Sequence, residues 1–226
     1  MPVNKTGELR EAPATPKAKL EMRDEGLALV HGDVELLPDF SRMAARLRSD
    51  RLHKELLVRA AKLRGVSGAP FAVDATAGLG EDALLLAAAG FCVRMYEHEP
   101  TIAALLRDAL ERARNDERLA DVVGRMELVE ADSVEALRNL DCAPDIVYLD
   151  PMFPQRKKSA AVKKKLQLLQ TLEQPCSNED ELLGAALAAG ARKVIVKRPV
   201  KGPYLAGVKP SHSLVGKAVR YDVLLP

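Results

Sequence analysis

Residues 150–154 read Asp-Pro-Met-Phe-Pro and follow "DIVYL", an apolar segment typical of a buried strand. A carboxylate beside a carbonyl can accept both N–H protons of an amine, and Asp150 with the rigid carbonyl of Pro151 supplies that pair. Phe153 can stack on a nucleobase. The motif therefore predicts that Asp150, Pro151 and Phe153 are catalytic residues that orient an exocyclic amine for methyl transfer. A strand that simply ends in a proline turn is the alternative.

A glycine loop lies earlier in the chain. The segment "VDATAGLGED" follows a predicted strand and contains Asp74, Gly78 and Gly80 in the spacing Asp-x-Thr-x-Gly-x-Gly. Glycines at these positions let the backbone turn tightly and approach a ligand closely. A nicotinamide fingerprint would have Gly or Ala three residues further on, and Ala83 stands there, so the loop alone leaves NAD open. A ligand-free turn between strand and helix is the second alternative.

Acidic side chains end four successive predicted strands. They are Asp74, Glu97, Asp132 and Asp150. Open α/β sheets bind ligands at the edge where parallel strands end, and Glu97 is suited there to accept hydrogen bonds from ribose hydroxyls. So many carboxylates fit a ligand with a ribose and a cationic centre better than they fit a pyrophosphate. The pattern therefore predicts S-adenosylmethionine, whose sulfonium is positive, as the cofactor.

Positive charge is concentrated in the last third of the chain. Residues 1–150 hold 20 Lys and Arg against 27 Asp and Glu, whereas residues 151–226 hold 14 against 5. In a chain of net charge +2 this imbalance indicates a polyanion bound on one side, with a solvated basic surface as the alternative. The residues predicted to bind RNA phosphates are Arg156, Lys157, Lys158, Lys163, Lys164, Lys165, Lys197 and Arg198.

The elements that must position these residues alternate along the chain. After Gly68, apolar strand-like segments such as "FAVDAT", "FCVRMYE" and "RKVIVKR" alternate with segments of helical periodicity, and "HSLVGKAVRYDVLLP" reads as two final strands. This alternation predicts a Rossmann-like α/β fold. Its sheet would be mostly parallel and seven-stranded, with helices on both faces.

The chain is predicted to have three parts. Residues 1–19 read as a disordered lead-in, residues 20–67 as a small β/helical extension, and residues 68–226 as the methyltransferase domain. Within the extension, residues 41–64 are predicted to form one basic helix or a pair, with Ser41 as the N-cap.

The composition narrows the class of protein. No apolar run approaches the ~20 residues of a membrane helix, and the N-terminus has no apolar core of a secretory signal. The three cysteines are scattered, which indicates reduced thiols, and no cluster has zinc-ligand spacing. These features predict a cytoplasmic protein with no membrane partner and no metal.

Three segments together resemble the ribosomal small-subunit methyltransferase J family: "VDATAGLGEDALLLAAAGFCVRMYEHEP", "VYLDPMFPQRKKSAAVKKK" and "VIVKRP". The resemblance covers residues 20–226. It implies a class I methyltransferase fold and an enzyme that methylates the exocyclic N2 amine of a guanosine in 16S rRNA, in naked rRNA or in the small ribosomal subunit. The cofactor positions that it implies are Glu81, Asp82, Glu97, His98, Asp132, Ser133 and Asp150.

Other functions remain compatible with these patterns. A methyltransferase acting on DNA adenine or on a protein amide would use a similar motif after the fourth strand, although the basic run disfavours a protein substrate. A non-catalytic RNA-binding or ribosome-assembly factor could keep the fold. An NAD-dependent dehydrogenase fits least, because no proton-transfer group accompanies the sheet edge.

Overall fold

The computed structural model describes residues 18–151 and 178–226 of the chain. Phe153 and the basic run 156–165 lie outside the described residues, as does nearly all of the predicted lead-in 1–19. Ten strands are described: β1 (Lys19–Arg23), β2 (Gly26–His31), β3 (Val34–Leu36), β4 (Phe71–Asp74), β5 (Cys92–Glu97), β6 (Met126–Glu130), β7 (Ile146–Leu149), β8 (Lys193–Pro199), β9 (His212–Val215) and β10 (Val219–Leu224).

The first three strands form a small antiparallel sheet in the order β1-β2-β3, which confirms the predicted β extension. The connections β1–β2 and β2–β3 are two-residue turns, and β2 carries the buried residues Ala28 and Leu29. Leu29 packs against Leu105, so the small sheet is anchored on a helix of the main body.

The basic segment 41–64 differs from its prediction. It contains a 3₁₀ turn and three short helices: Phe40–Met43, α1 (Ala44–Leu47), α2 (Ser49–Leu52) and α3 (Leu56–Ala61). Arg48 and Glu55 have ψ of 141° and 129°, outside the helical range, and so they separate the three helices. The N-cap prediction for Ser41 is also wrong, because Asp39 caps the turn and accepts a hydrogen bond from the Ser41 amide at 2.9 Å.

The main sheet has seven strands in the order β6-β5-β4-β7-β8-β10-β9. The five strands from β6 to β8 are parallel, and β10 is antiparallel to both neighbours. The predicted mostly parallel, seven-stranded sheet is therefore confirmed. The order places the ends of β4 and β7 side by side at the centre of the carboxyl edge.

Five further helices cover the sheet: α4 (Glu81–Ala88), α5 (Pro100–Arg114), α6 (Ala120–Val123), α7 (Ser133–Arg138) and α8 (Glu179–Ala188). One core joins α3, α4, α5 and α6 to one face of the sheet, and a second core joins α7 and α8 to the other. Pro100 at the first position of α5 and the Glu99 side chain, which accepts from the Thr101 amide at 3.1 Å, explain why α5 begins there. Among the described residues, none of the helices could span a membrane.

Candidate active site at the carboxyl edge of the sheet

The loop after β4 is tied to the residue that follows β7. Asp74 is 1% exposed, and its carboxylate accepts a hydrogen bond from the Thr76 amide at 3.1 Å. The Thr76 hydroxyl in turn accepts one from the Asp150 amide at 2.6 Å. The glycine loop and the Asp-Pro motif, 74 residues apart in the chain, are thus held in one fixed arrangement.

The two loop glycines have different surroundings. Gly78 and Gly80 both have positive φ, +52° and +77°. A Cβ on Gly80 would lie 2.7 Å from the Leu106 side chain, so Gly80 is needed for packing of the loop against α5. A Cβ on Gly78 would meet nothing within 4 Å, which leaves open space where a ligand can approach the backbone.

Glu97 ends β5 and bonds to this loop. Its carboxylate accepts hydrogen bonds from the amides of Gly78 at 3.0 Å and Glu99 at 2.8 Å, and the residue is 5% exposed. Burial raises the pKa of Glu97 in spite of those two bonds. Two bonds use about half of the acceptor capacity of a carboxylate, so Glu97 can still accept from two hydroxyls. The exposed His98 has its Nδ1 3.7 Å from a Glu97 oxygen.

A charged cluster lies between α4, β7 and β8. Lys197 Nζ is 2.6 Å from Asp82 Oδ2 and 2.8 Å from Asp150 Oδ2, and the Tyr148 hydroxyl donates to Asp82 Oδ2 at 2.7 Å. Burial acts against the charge of Lys197, but the two carboxylates outweigh it and raise the pKa of Lys197. Burial raises the pKa of Asp150, and Lys197 opposes that rise. Lys197 therefore helps to keep Asp150 ionised although its surroundings favour the neutral form.

The net charge of this cluster, taken together with the nearby Asp74, follows from the same contacts. Burial raises the pKa of Asp74 to about 8, and the charges of Asp82 and Asp150 contribute to the rise. Asp74 is then mostly protonated at neutral pH, and the two remaining carboxylates exceed the single ammonium of Lys197 by one negative charge. A ligand with one positive centre is complementary to this cluster.

Three other predicted cofactor residues lie at the helix starts along this edge. Asp132 caps α7 by accepting from the Glu135 amide at 3.0 Å, and its side chain is exposed. Ser133 is the first residue of α7, and the exposed Glu81 is the first residue of α4. Each helix follows a parallel strand, so its first residues lie at the carboxyl edge.

The structure does not support phosphate contacts by Lys197 and Arg198. The Arg198 side chain is 0% exposed, lies 3.2 Å from Glu179 Oε1 and donates to the Pro203 carbonyl at 3.1 Å. The Lys197 ammonium is held by two carboxylates, as described above. Neighbouring residues of a strand point to opposite faces, so the pair could not face one ligand together.

Sequence reasoning also missed three functional candidates, Thr76, Tyr148 and the pairing of Lys197 with Asp82. One signal was available, because a lysine that interrupts the apolar run "VIVKR" must reach a counter-charge or solvent. Tyr148 within "DIVYLD" gave a similar signal, since a buried tyrosine usually finds a partner for its hydroxyl. The partners themselves depend on which strands become neighbours.

Comparison with known proteins gives the family of the chain. The model of a family described as "Putative SAM-dependent methyltransferase" matches residues 5–226. A ribosomal RNA small subunit methyltransferase J from Nitrosococcus oceani is 42% identical over 93% of this chain and 85% of its own length. The chain belongs to the ribosomal RNA small subunit methyltransferase J family. A second methyltransferase J, from Chromobacterium violaceum, is 45% identical over 90% of this chain and 82% of its own length.

A solved structure gives the same result for the fold. The SAM-dependent methyltransferase from Neisseria gonorrhoeae is 30% identical, has a TM-score of 0.73, and matches over 96% of this chain and 86% of its own chain. These findings confirm the predicted methyltransferase J family, the class I fold and S-adenosylmethionine as the cofactor of the family. They also decide against the dehydrogenase that the glycine loop had left open.

Proposed function

We propose that this methyltransferase J homologue transfers a methyl group from S-adenosylmethionine to the exocyclic N2 amine of a guanosine in small-subunit rRNA. The observation that carries the proposal is the placement of Asp150. Thr76 and Lys197 hold it beside the glycine loop, and Pro151 follows it directly. The names of the relatives support the rRNA substrate, and with such a substrate we propose that the reaction occurs in the cytoplasm.

The residues along the edge fit S-adenosylmethionine. Glu97 has acceptor capacity for the two ribose hydroxyls, with His98 beside it, and the space at Gly78 lets the cofactor pass close to the backbone. Asp132 and Ser133, at the next strand end, are suited to the adenine edge. The bound cofactor supplies an electrophilic methyl group on a positive sulfonium. The negative cluster of Asp82, Asp150 and Lys197 is complementary to that charge.

Asp150 and Pro151 orient the acceptor amine. The lone pair of an exocyclic amine is delocalised into the ring, so both N–H bonds must be held to direct it at the methyl group. The Asp150 carboxylate accepts a hydrogen bond from one N–H of the amine, and the Pro151 carbonyl accepts a hydrogen bond from the other. The methylated amine is strongly acidic and loses its proton readily, so orientation matters more here than full general-base catalysis. Phe153, outside the described residues, is proposed to stack on the guanine.

Asp150→Asn tests this function. The amide keeps the shape of the side chain but replaces one acceptor by a donor, so single-turnover methyl transfer should fall about 100- to 1000-fold. Labelled methyl groups transferred to naked rRNA and to small subunits are measured, and nuclease digestion identifies the product. Asp141→Asn, the same change at an exposed loop position, should keep the parental rate.

Two outcomes would overturn the proposal. Near-parental transfer by Asp150→Asn would remove the orienting role of this residue, and a product other than N2-methylguanosine would remove the substrate assignment. Phe153→Ala adds an independent test, because loss of stacking should cost about 1–3 kcal/mol of binding to a single-stranded target base.

A further inference from the structure

The carboxyl edge of the sheet continues past Asp150 toward β10. β8 is parallel to β7, so its end at Pro199 lies at the same edge as Asp150. The turn between β9 and β10 lies there too, since Val219 pairs with Pro199 and the Val200 amide donates to the Ala218 carbonyl at 3.3 Å. The segments after β8 and before β10 therefore border the active site on the side away from the glycine loop.

Helix α3 runs across the sheet from this edge to the opposite one. A Cβ on Gly216, in the turn between β9 and β10, would lie 2.6 Å from the Leu56 side chain, so α3 begins at the carboxyl edge. Its other end is held by Lys193, the first residue of β8, which donates to the carbonyls of Ala60 at 3.0 Å and Lys62 at 2.7 Å. The start of α3 thus joins the border of the site, and its end does not.

Three exposed lysines lie along this border. Lys54 precedes α3, Lys201 follows β8, and Lys217 lies in the turn before β10. Within residues 18–151 and 178–226, none of the three has an ion-pair partner. Glu55, the acid next to Lys54 in the chain, is already used, because Arg46 binds it through two bonds of 2.9 Å. The border therefore presents positive charge that is not neutralised.

We propose that Lys54, Lys201 and Lys217, here called the lysine rim, bind the phosphates of the rRNA segment that carries the target guanosine. The inference rests on the proposed function. In the strand order the cofactor residues of β4 and β5 lie on one side of β7, and the lysine rim lies on the other. RNA held by the rim would reach Asp150 from the side that the cofactor leaves open. Ammonium groups contact phosphates without reading sequence, so the rim supplies affinity and orientation while the Asp-Pro motif selects the amine.

A matched pair of double variants tests the rim. Lys201→Ala combined with Lys217→Ala removes two rim charges, and Lys62→Ala combined with Arg64→Ala removes two exposed charges at the opposite end of α3. Loss of two phosphate contacts should reduce the magnitude of the negative slope of log affinity against log salt concentration by about 1.4–1.8. Binding should weaken roughly thirtyfold at ~0.1 M salt. Binding of a small-subunit rRNA fragment is measured over a salt series. Adding Lys54→Ala to the rim variant should lower the slope again.

The outcomes separate the rim from the proposed function. A loss of slope confined to the rim variant, with S-adenosylmethionine affinity at the parental value, supports the rim. Equal losses in both double variants, or a parental slope in the rim variant, overturn it. If the parent protein binds the fragment through the rim but forms no N2-methylguanosine, the proposed function fails while the docking surface stands.

Discussion

Lys197→Met tests the charged cluster at the centre of the site. The change removes an ammonium that lies 2.6 Å from Asp82 and 2.8 Å from Asp150, and leaves the two carboxylates without their shared cation. Removing one partner of a buried ion pair costs about 3–5 kcal/mol. The Lys197 side chain is 24% exposed. We therefore expect a loss at the lower end of this range, about 3 kcal/mol of unfolding free energy at neutral pH.

The effect on methyl transfer has a defined direction. Lys197 lowers the pKa of Asp150 against the effect of burial, so its loss raises that pKa further. Only the ionised Asp150 can accept the hydrogen bond from the amine. The acid limb of the profile of single-turnover rate against pH should therefore move to higher pH in Lys197→Met. The stability cost should shrink as the pH falls and Asp150 takes up a proton, since the attraction to Lys197 is then lost in the parent as well.

Two further variants serve as controls. Lys197→Arg keeps the positive charge and should leave the acid limb near its parental position. Lys193→Met makes the same change at the other end of β8, where the ammonium binds two backbone carbonyls. It should lower stability without moving the acid limb. The reasoning fails if the acid limb of Lys197→Met lies at the same pH as that of the parent, or if Lys193→Met moves the acid limb as far as Lys197→Met does.

Three predictions concern the glycine loop and its neighbours. Glu97→Ala should weaken S-adenosylmethionine binding by about 1–3 kcal/mol, the cost of charge-assisted hydrogen bonds, and unchanged calorimetric affinity would exclude the ribose role. Gly80→Ala should lower the unfolding free energy by about 1–3 kcal/mol in a denaturant titration, because its φ is +77° and its Cβ meets the buried Leu106. Gly78→Ala carries only the strain of its positive φ, so it should lower stability less and also reduce cofactor affinity. Equal stability losses in the two variants would contradict this contrast. Asp74 has a pKa of about 8, above its unfolded value, so the folded chain holds a proton between about pH 4 and 8 that the unfolded chain releases. Stability should therefore fall as pH rises through this window, by at most about 1.4 kcal/mol per pH unit, and Asp74→Asn should remove that part of the slope in urea titrations at several pH values.

The carboxyl edge was predictable because parallel strands all end on the same side. Once the alternation of strands and helices indicates a parallel sheet, acids at successive strand ends must converge at one edge, and Asp74, Glu97 and Asp150 do so. The pattern needs no knowledge of strand order. The hydrogen bond between Thr76 and Asp150 does need it, since only the pairing of β4 with β7 brings these residues together.

The direction of individual side chains and the limits of the short helices were less predictable from the sequence. Lys197 and Arg198 are adjacent and both basic, so the sequence predicts the same role for both. In the structure Lys197 points to the carboxylates of the site, whereas Arg198 points into the core beside α8. The segment 41–64 has helical periodicity as a whole, yet two extended residues divide it. Helices this short owe most of their stability to tertiary contacts, so local pattern did not determine their limits.

The attachment of the small N-terminal sheet to α5 has a consequence for the order of folding during synthesis. The Leu27 amide donates to Asp108 at 3.0 Å, and Arg112 joins Asp108 to the carbonyl of Pro38. These contacts bridge about eighty residues, and the buried Leu29 of the small sheet packs against Leu105 of α5. The three strands of this sheet precede α5 in the chain, so they must wait, undocked, until α5 has left the ribosome. Until then the apolar face of the small sheet, which carries Leu29, stays uncovered and can contact another chain.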